Sequence, residues 1–218
     1  MKLLLTSAGL TNTTIVNALN RLVGLPTKNI RIAFIPTAAN VEEGDKSWLV
    51  DDYSNIKKQG YGFIDIVDIS ALPKEIWLPR IEKANVIFVG GGNTFYLMSC
   101  LIKSGLADLL PELLKTRVYV GISAGSMVTT ANLRMSTSQK SYSETVYPLK
   151  NDEGLGFVKF HVRPHYNSKH FQKLRSEFIS ETAKEIPEPI FALDDDSAIV
   201  VEKDKIKVIS EGKWDKFN

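Results

Sequence analysis

The chain has 218 residues and a mass of 24.3 kDa, which corresponds to one or two domains at roughly 150 residues each. Its composition, 44% hydrophobic and 24% charged, supplies a core and excludes wholesale disorder. The net charge is only +2, from basic and acidic residues scattered among one another, so we expect no nucleic-acid partner. The single cysteine, Cys100, excludes an internal disulfide and is typical of a reducing compartment.

The sequence also argues against a membrane partner. No apolar run reaches the roughly 18 residues that a spanning helix needs. The start, Met-Lys-Leu-Leu-Leu-Thr-Ser, is too short for the apolar core of a secretory signal and is predicted to be a first strand. We therefore expect a cytoplasmic protein.

Short apolar runs alternate with amphipathic stretches in the first 130 residues. Runs rich in Val, Ile and Phe predict strands at 2–6, 30–35, 63–67, 86–89 and 118–121. An apolar stripe at helical spacing predicts a helix at 13–22, and less regular patterns predict helices at 47–59 and 74–82. The N-cap residue Asn93 precedes a predicted helix at 94–103, and a further helix is predicted at 106–115 despite Pro111. This order predicts parallel strands, and the continuously apolar strand 86–89 predicts helices on both faces of the sheet.

The pattern changes after about residue 130. A strand is predicted at 156–162, a helix at 169–184, and a closing antiparallel set at 190–193, 197–201 and 206–209. No repeat or linker interrupts the chain. We therefore predict one α/β domain over residues 1–218, with three layers and a doubly wound, mostly parallel sheet.

The strongest motif follows the predicted strand 118–121. Ligands bind beyond the carboxyl ends of parallel strands, and here the chain reads Gly121-Ile122-Ser123-Ala124-Gly125, a Gly-x-Ser-x-Gly nucleophile elbow. The glycines leave room for a strained turn that exposes the Ser123 hydroxyl, and the Ala124 N–H is the natural donor to an oxyanion. By itself the motif leaves open a tight turn with an incidental serine.

A second junction, Gly90-Gly91-Gly92-Asn93, follows the strand 86–89. Successive glycines expose backbone N–H groups, which suits either a phosphate or a second oxyanion donor beside the elbow. The segment matches neither common nucleotide-binding motif, so the nucleotide interpretation is the weaker one.

An activated serine needs a base, and the chain has three histidines: His161, His165 and His170. We expect His165, after Pro164 at the end of a strand, to reach the catalytic edge. We expect His161 to lie in the sheet and His170 to be solvated. A metal site that combines His161 and His165 with Asp194–Asp196 has no recognised ligand spacing, and we predict no metal.

Three segments are distinctive when taken together and in this order: Val-Gly-Gly-Gly-Asn-Thr-Phe at 89–95, Gly-Ile-Ser-Ala-Gly-Ser at 121–126 and Arg-Pro-His-Tyr at 163–166. Together they resemble the peptidase E family of serine peptidases, which includes the aspartyl dipeptidases and, more distantly, cyanophycinase. The resemblance extends over nearly the whole chain. It implies a fold like that of class I glutamine amidotransferases. It also implies a serine exopeptidase that hydrolyses short peptides, dipeptides with an N-terminal Asp in particular, without a cofactor.

The resemblance assigns roles to individual residues. It implies that Ser123 is the nucleophile and His165 the general base. It implies an oxyanion hole formed by the backbone N–H groups of Gly91 and Ala124, with Gly92 as an alternative for the first donor.

The third catalytic residue departs from the family pattern. The aspartyl dipeptidases carry an Asp about fifteen positions after the nucleophile, where this chain has Ser138, and no carboxylate occurs between Ser123 and Glu144. A hydroxyl cannot stabilise an imidazolium as a carboxylate does. Some members of the family carry a Glu in this role, so the resemblance implies Glu144 here, with Asp194–Asp196 as the alternative.

Substrate selection is the least constrained part of the prediction. Asn93 of the Gly-Gly-Asn-Thr segment is expected to contact substrate. Selection of an acidic N-terminal residue needs a cation, for which Arg134, Arg163 and Arg175 are candidates. The alternatives are a cyanophycinase-like or other amide hydrolase, and a small-molecule binding protein with weakened catalysis. The expected partner is a small peptide, and a homodimer is one option for the oligomeric state.

Overall fold

The structure is a computed structural model, and it describes residues 1–133, 149, 152–203 and 205–218. The strands are β1 (Lys2–Thr6), β2 (Arg31–Ile35), β3 (Phe63–Ile66), β4 (Val86–Val89), β5 (Val118–Ile122), β6 (His161–Arg163), β7 (Ile190–Leu193), β8 (Ser197–Glu202), β9 (Lys205–Ser210) and β10 (Trp214–Phe217). The helices are α1 (Thr13–Val23), α2 (Ser47–Lys57), α3 (Lys74–Glu82), α4 (Thr94–Ser104), α5 (Leu106–Leu113), α6 (Ala124–Met127) and α7 (Ser176–Ala183).

The main sheet has seven strands in the order β3-β2-β4-β5-β1-β8-β9. The first five run parallel, and β8 and β9 close the sheet as antiparallel strands. Parallel strands bring their carboxyl ends to one edge, so the segments that follow β1, β4 and β5 meet there. This edge carries the candidate site.

Helices cover both faces of the main sheet, as predicted. Successive residues of β4 alternate between two apolar clusters: Val86 and Phe88 pack with α1 and α2, and Ile87 and Val89 pack with α3, α4 and α5. All four side chains are fully buried. Because neither face of β4 meets water, the strand is apolar throughout.

Two predicted elements after residue 155 are shorter in the structure. The predicted strand 156–162 is a strand only over His161–Arg163, because the preceding backbone pairs elsewhere. The N–H groups of Gly156 and Phe157 donate to the carbonyls of Thr130 and Thr129, in the segment that follows α6. The predicted helix 169–184 begins only at Ser176. The preceding residues form turns held by the Arg175 guanidinium, which donates to the carbonyls of the loop.

The closing strands do not all join the main sheet. β7 lies in a second, three-stranded sheet of order β10-β7-β6, parallel to β6 and antiparallel to β10. The strand β10 was absent from the prediction. None of the described helices is long and apolar enough to cross a membrane.

Candidate active site

The turn from β5 into α6 has the geometry of a nucleophile elbow. Ser123 has φ +46° and ψ −108°, a conformation that non-glycine residues rarely adopt and that marks a strained turn. A Cβ on Gly121 would lie 2.6 Å from the backbone of Gly125, and a Cβ on Gly125 would lie 2.2 Å from the carbonyl oxygen of Val89. Both glycines are therefore required for the close packing of β5, α6 and β4.

His165 faces the Ser123 hydroxyl across this edge. Its Nε2 lies 3.1 Å from Ser123 Oγ, within hydrogen-bonding distance. The ring stacks on Phe171 with centroids 4.6 Å apart and planes 18° apart. The His165 backbone has φ +62°, which turns the chain sharply after β6 and brings the imidazole over the serine.

The other ring nitrogen of His165 contacts a carboxylate. Nδ1 lies 2.7 Å from Oδ1 of Asp195, which stands in the turn between β7 and β8. Burial acts to raise the pKa of the Asp195 carboxyl, but hydrogen bonds from His165 and Ser7 together with nearby positive charge hold that pKa below its usual value. Asp195 is therefore ionised at neutral pH.

Ser7 completes this arrangement and is absent from the sequence prediction. It follows β1, is fully buried, and its hydroxyl donates to Asp195 Oδ1 at 2.9 Å. The Ser7 hydroxyl oxygen in turn accepts a hydrogen bond from the backbone N–H of His165 at 2.8 Å. The sequence feature that could have identified Ser7 is its position directly after a predicted parallel strand, where ligand-binding residues are commonly found.

The glycine-rich turn after β4 lies beside the nucleophile. A Cβ on Gly91 would be 3.4 Å from Ser123 Cβ, so this turn borders the serine directly. Within the described residues, the N–H groups of Gly91 and Ala124 have no hydrogen-bond acceptor. Gly92 has φ +127°, and its Cβ would lie 2.3 Å from the Ala38 carbonyl oxygen, so this glycine is required by close backbone packing.

Several predicted substrate residues make other contacts. The carboxamide oxygen of Asn93 caps α4 by accepting the Tyr96 N–H at 2.9 Å. The Arg175 guanidinium donates to the carbonyls of Ser168, Phe171 and Leu174. The side chain of Arg163 is buried, at 1% exposure. Arg134, Ser138 and Glu144 lie outside the described residues.

The other two histidines have different surroundings. His161 is buried in β6, with Nδ1 3.3 Å from the Thr130 hydroxyl and Nε2 3.7 Å from Glu188 Oε2. Burial lowers the pKa of His161, and the Glu188 carboxylate opposes this. His170 is exposed. No group of His, Cys, Asp and Glu side chains in the described part of the chain is arranged to hold a metal ion.

The fold and the sequence have relatives among known proteins. A 1.5 Å crystal structure of a Listeria monocytogenes protein superposes with a TM-score of 0.80 at 24% identity, over 97% of this chain and 98% of that one. "Uncharacterized peptidase PM1590" of Pasteurella multocida is 32% identical over 80% of this chain and 82% of its own length. "Probable alpha-aspartyl dipeptidase" of Drosophila melanogaster is 31% identical over 60% of this chain and 55% of its own.

A match over most of the chain identifies the family to which it belongs. Residues 3–209 match the family model described as "Peptidase family S51". Relatives from several bacteria carry the name "Peptidase E", among them that of Streptomyces coelicolor at 32% identity over 59% of this chain and 53% of its own. The resemblance to peptidase E is thereby confirmed, and the chain belongs to peptidase family S51.

Proposed function

We propose that this chain is a serine exopeptidase that hydrolyses short peptides through Ser123, His165 and Asp195. The observation that carries the proposal is the hydrogen-bonded series from Ser123 Oγ to His165 Nε2, at 3.1 Å, and from His165 Nδ1 to Asp195 Oδ1, at 2.7 Å. These are the contacts that a serine nucleophile, a general base and an orienting carboxylate need. Asp195, and not Glu144, is therefore our candidate for the third residue.

The reaction would proceed through an acyl-enzyme. With Nδ1 protonated and donating to Asp195, the free Nε2 of His165 accepts the Ser123 proton as Oγ attacks the scissile carbonyl. The imidazolium that forms is stabilised by the Asp195 carboxylate and then protonates the leaving amine. Water repeats the two steps on the ester and releases the acyl group, and no cofactor takes part.

The developing oxyanion would be bound by the N–H groups of Gly91 and Ala124. Both lack an acceptor within the described residues, and Gly91 borders Ser123. A donor that is already oriented towards the oxyanion stabilises the transition state at no reorganisation cost. Gly91 is preferred over Gly92 because a Cβ on Gly91 would lie 3.4 Å from Ser123 Cβ, whereas the side of Gly92 that a Cβ would occupy faces Ala38.

The finer part of the proposal concerns the substrate. Membership of the family and the name of the Drosophila relative support dipeptides with an N-terminal Asp as the first substrates to test. Of the three arginine candidates for recognition, Arg175 is held by backbone carbonyls and Arg163 is buried, so neither presents an exposed, uncommitted guanidinium. The proposed substrate therefore rests on the family and the named relative, and not on recognition of an acidic side chain by Arg163 or Arg175.

The test is hydrolysis of a dipeptide library by the wild type and by Ser123→Ala. We expect the variant to lose several orders of magnitude in kcat while its thermal unfolding is unchanged. Peptidase activity near the wild-type level in Ser123→Ala would overturn the proposal. Hydrolysis of β-linked aspartyl-arginine alone would favour a cyanophycinase-like enzyme. A Ser123 that a fluorophosphonate does not label would favour a binding protein.

A further inference from the structure

A carboxylate that the proposed mechanism does not use, that of Asp68, accepts several hydrogen bonds at the same edge of the main sheet. Asp68 follows β3. It accepts from the hydroxyl groups of Thr37 and Ser70, each at 2.8 Å, from the Ser70 backbone N–H at 2.9 Å and from Asn40 Nδ2 at 2.7 Å. Burial acts to raise the pKa of the Asp68 carboxyl, but these hydrogen bonds hold that pKa below its usual value. Asp68 is therefore ionised at neutral pH.

These hydrogen bonds fix the turn that follows β2. Thr37 is fully buried, and its hydroxyl donates to Asp68 while it accepts the Ile69 backbone N–H at 3.2 Å. Asn40 binds the other oxygen of the same carboxylate. Ala38, which is also fully buried, lies in the chain between Thr37 and Asn40. The position of Ala38 therefore depends on two side chains that are bound to Asp68.

Ala38 in turn contacts the glycine-rich turn after β4. Its carbonyl oxygen accepts the backbone N–H of Asn93 at 2.9 Å. A Cβ on Gly92 would lie 2.3 Å from the same oxygen, so the Gly92 backbone packs directly against Ala38. The segment that follows Gly91 is therefore attached to the turn after β2.

The segment before Gly91 is attached to β2 as well, because the Gly90 N–H donates to the Ile35 carbonyl at 2.9 Å. Gly91 is thus held from both sides by β2 and the turn that follows it. The strand order β3-β2-β4-β5 places Asp68, the turn after β2, Gly91 and Ser123 at the ends of four adjacent strands. A continuous series of contacts therefore runs along this edge from Asp68 to the oxyanion donor that we propose.

On the basis of the proposed function, we propose that Asp68 is a positioning residue for catalysis, which sets the place of the Gly91 N–H through Thr37 and Ala38. An oxyanion donor acts on the charge that develops in the transition state. A displaced donor therefore weakens the transition state more than the bound substrate. The contribution of Asp68 should accordingly appear in kcat and not in KM.

The substitution Asp68→Asn removes this support with little change in size. Every group that contacts the carboxylate is a hydrogen-bond donor. The NH₂ group of an asparagine must therefore face another donor, from Asn40 in one orientation and from Thr37 and Ser70 in the other. Either orientation releases part of the turn after β2. Removal of an oxyanion donor costs about 10² to 10³ in kcat, and a displaced donor should cost less, about tenfold.

The experiment compares Asp68→Asn with Asp65→Asn in dipeptide hydrolysis and in the rate at which a fluorophosphonate labels Ser123. Asp65 is the matched control, because it is a carboxylate of β3 that pairs instead with Arg80 of α3. We expect Asp68→Asn to lower kcat by about tenfold while KM stays within about twofold. The labelling rate should fall by a similar factor, since the phosphoryl oxygen of the probe uses the same donors. Asp65→Asn should keep the wild-type values.

A second pair of variants tests the connection through the Thr37 hydroxyl. Thr37→Val keeps the shape of the side chain and removes the donor to Asp68, whereas Thr37→Ser keeps the hydroxyl. We expect Thr37→Val to lower kcat as Asp68→Asn does, and Thr37→Ser to recover most of this loss. Thermal unfolding of each variant shows whether the protein is folded under the assay conditions.

Each outcome decides the proposal. Equal kcat in Asp68→Asn and Asp65→Asn would overturn it, as would a loss confined to KM or a Thr37→Ser variant as slow as Thr37→Val. Unfolding of both Asp68→Asn and Thr37→Val would assign these hydrogen bonds to stability alone and would also overturn it. These results would leave the proposed function standing, provided that Ser123→Ala abolishes hydrolysis. Absence of hydrolysis by the wild type, or hydrolysis that survives Ser123→Ala, overturns the proposed function and this proposal with it.

Discussion

Ser7 and Asp195 are joined by a 2.9 Å hydrogen bond from a hydroxyl to a carboxylate, although 188 positions separate them in the sequence. The Ser7 oxygen also accepts the His165 backbone N–H, and the Asp195 oxygen also contacts His165 Nδ1. These three contacts form a closed ring that fixes both the main chain and the imidazole of His165. Because Ser7 directly follows β1, which lies between β5 and β8, the ring ties the histidine to the interior of the main sheet.

The first prediction concerns Ser7. Ser7→Ala removes the donor to Asp195 and leaves the buried His165 N–H without an acceptor, so His165 is held less firmly. We expect kcat for dipeptide hydrolysis to fall by about tenfold with little change in KM, since the group acts through the base. Steady-state kinetics checks this. Thr11→Ala is the control, because the exposed Thr11 hydroxyl donates to the main-chain carbonyl of Asp195 and not to its carboxylate. An equal loss in both variants would contradict the prediction.

The second prediction separates the two candidate acids. Asp195→Asn keeps the size of the side chain but cannot stabilise an imidazolium, and its NH₂ group favours the wrong histidine tautomer. We expect kcat to fall by about 10² to 10⁴. Glu144→Gln, made in parallel, should cause a much smaller decrease. The reverse order of effects would return the third role to Glu144.

Many of the strands and helices could be predicted because the residues within each element are enough to specify it. Strand Val86–Val89 has the predicted bounds, since a run of apolar β-formers suffices to specify it. Helix Lys74–Glu82 also has the predicted bounds, although its apolar pattern is less regular. Strand β10 could not be predicted, because Trp-Asp-Lys-Phe alternates too weakly to be recognised, and its stability depends on pairing with β7. Helix α7 begins late because the Arg175 contacts to loop carbonyls are tertiary and leave no periodic signal.

The residues of the candidate site could also be predicted only in part. The position of Ser123 could be predicted from its glycines, which the close packing of β4, β5 and α6 requires. Among Asp194–Asp196, however, sequence could not choose, because three adjacent carboxylates differ only in direction. In the structure Asp194 accepts the Ser197 hydroxyl at 2.5 Å as a turn cap, whereas Asp195 faces His165. Only the three-dimensional path of the β7–β8 turn separates these roles.

The third prediction tests the close packing of the elbow. A methyl group on Gly125 would lie 2.2 Å from the Val89 carbonyl oxygen, so Gly125→Ala must displace either α6 or β4. We expect a loss of about 2–3 kcal/mol in the free energy of unfolding, together with lower kcat, because Ser123 moves with α6. Urea denaturation and kinetics check both. In Gly60→Ala, where φ is +70° and nothing lies within 4 Å, only backbone strain of about 1 kcal/mol should appear. Equal destabilisation in the two variants would refute the steric argument.

The fourth prediction concerns Asp52, a carboxyl on α2 that lies near the candidate site. Burial, and then the negative charges of Asp51 and Asp195, raise its pKa to about 8. Its Oδ1 lies 3.5 Å from the place that a Cβ on Gly9 would occupy, between α2 and the loop after β1. The folded protein therefore keeps a proton here that the unfolded chain releases near the ordinary value of 3.8.

The difference between the Asp52 pKa in the folded and unfolded states determines how the free energy of unfolding changes with pH. Between about pH 4 and pH 8 the unfolded state binds fewer protons at Asp52 than the folded state, so stability falls as the pH rises through this window. Asp52→Asn has no proton to lose and should be more stable than the wild type at pH 8 but not at pH 4. We expect the difference in the free energy of unfolding to grow by on the order of 1 kcal/mol per pH unit. Urea denaturation at several pH values checks this, with Asp108→Asn, which removes an exposed carboxyl from α5, as the control. A difference between Asp52→Asn and wild type that stays constant with pH would mean that Asp52 is charged in the folded protein.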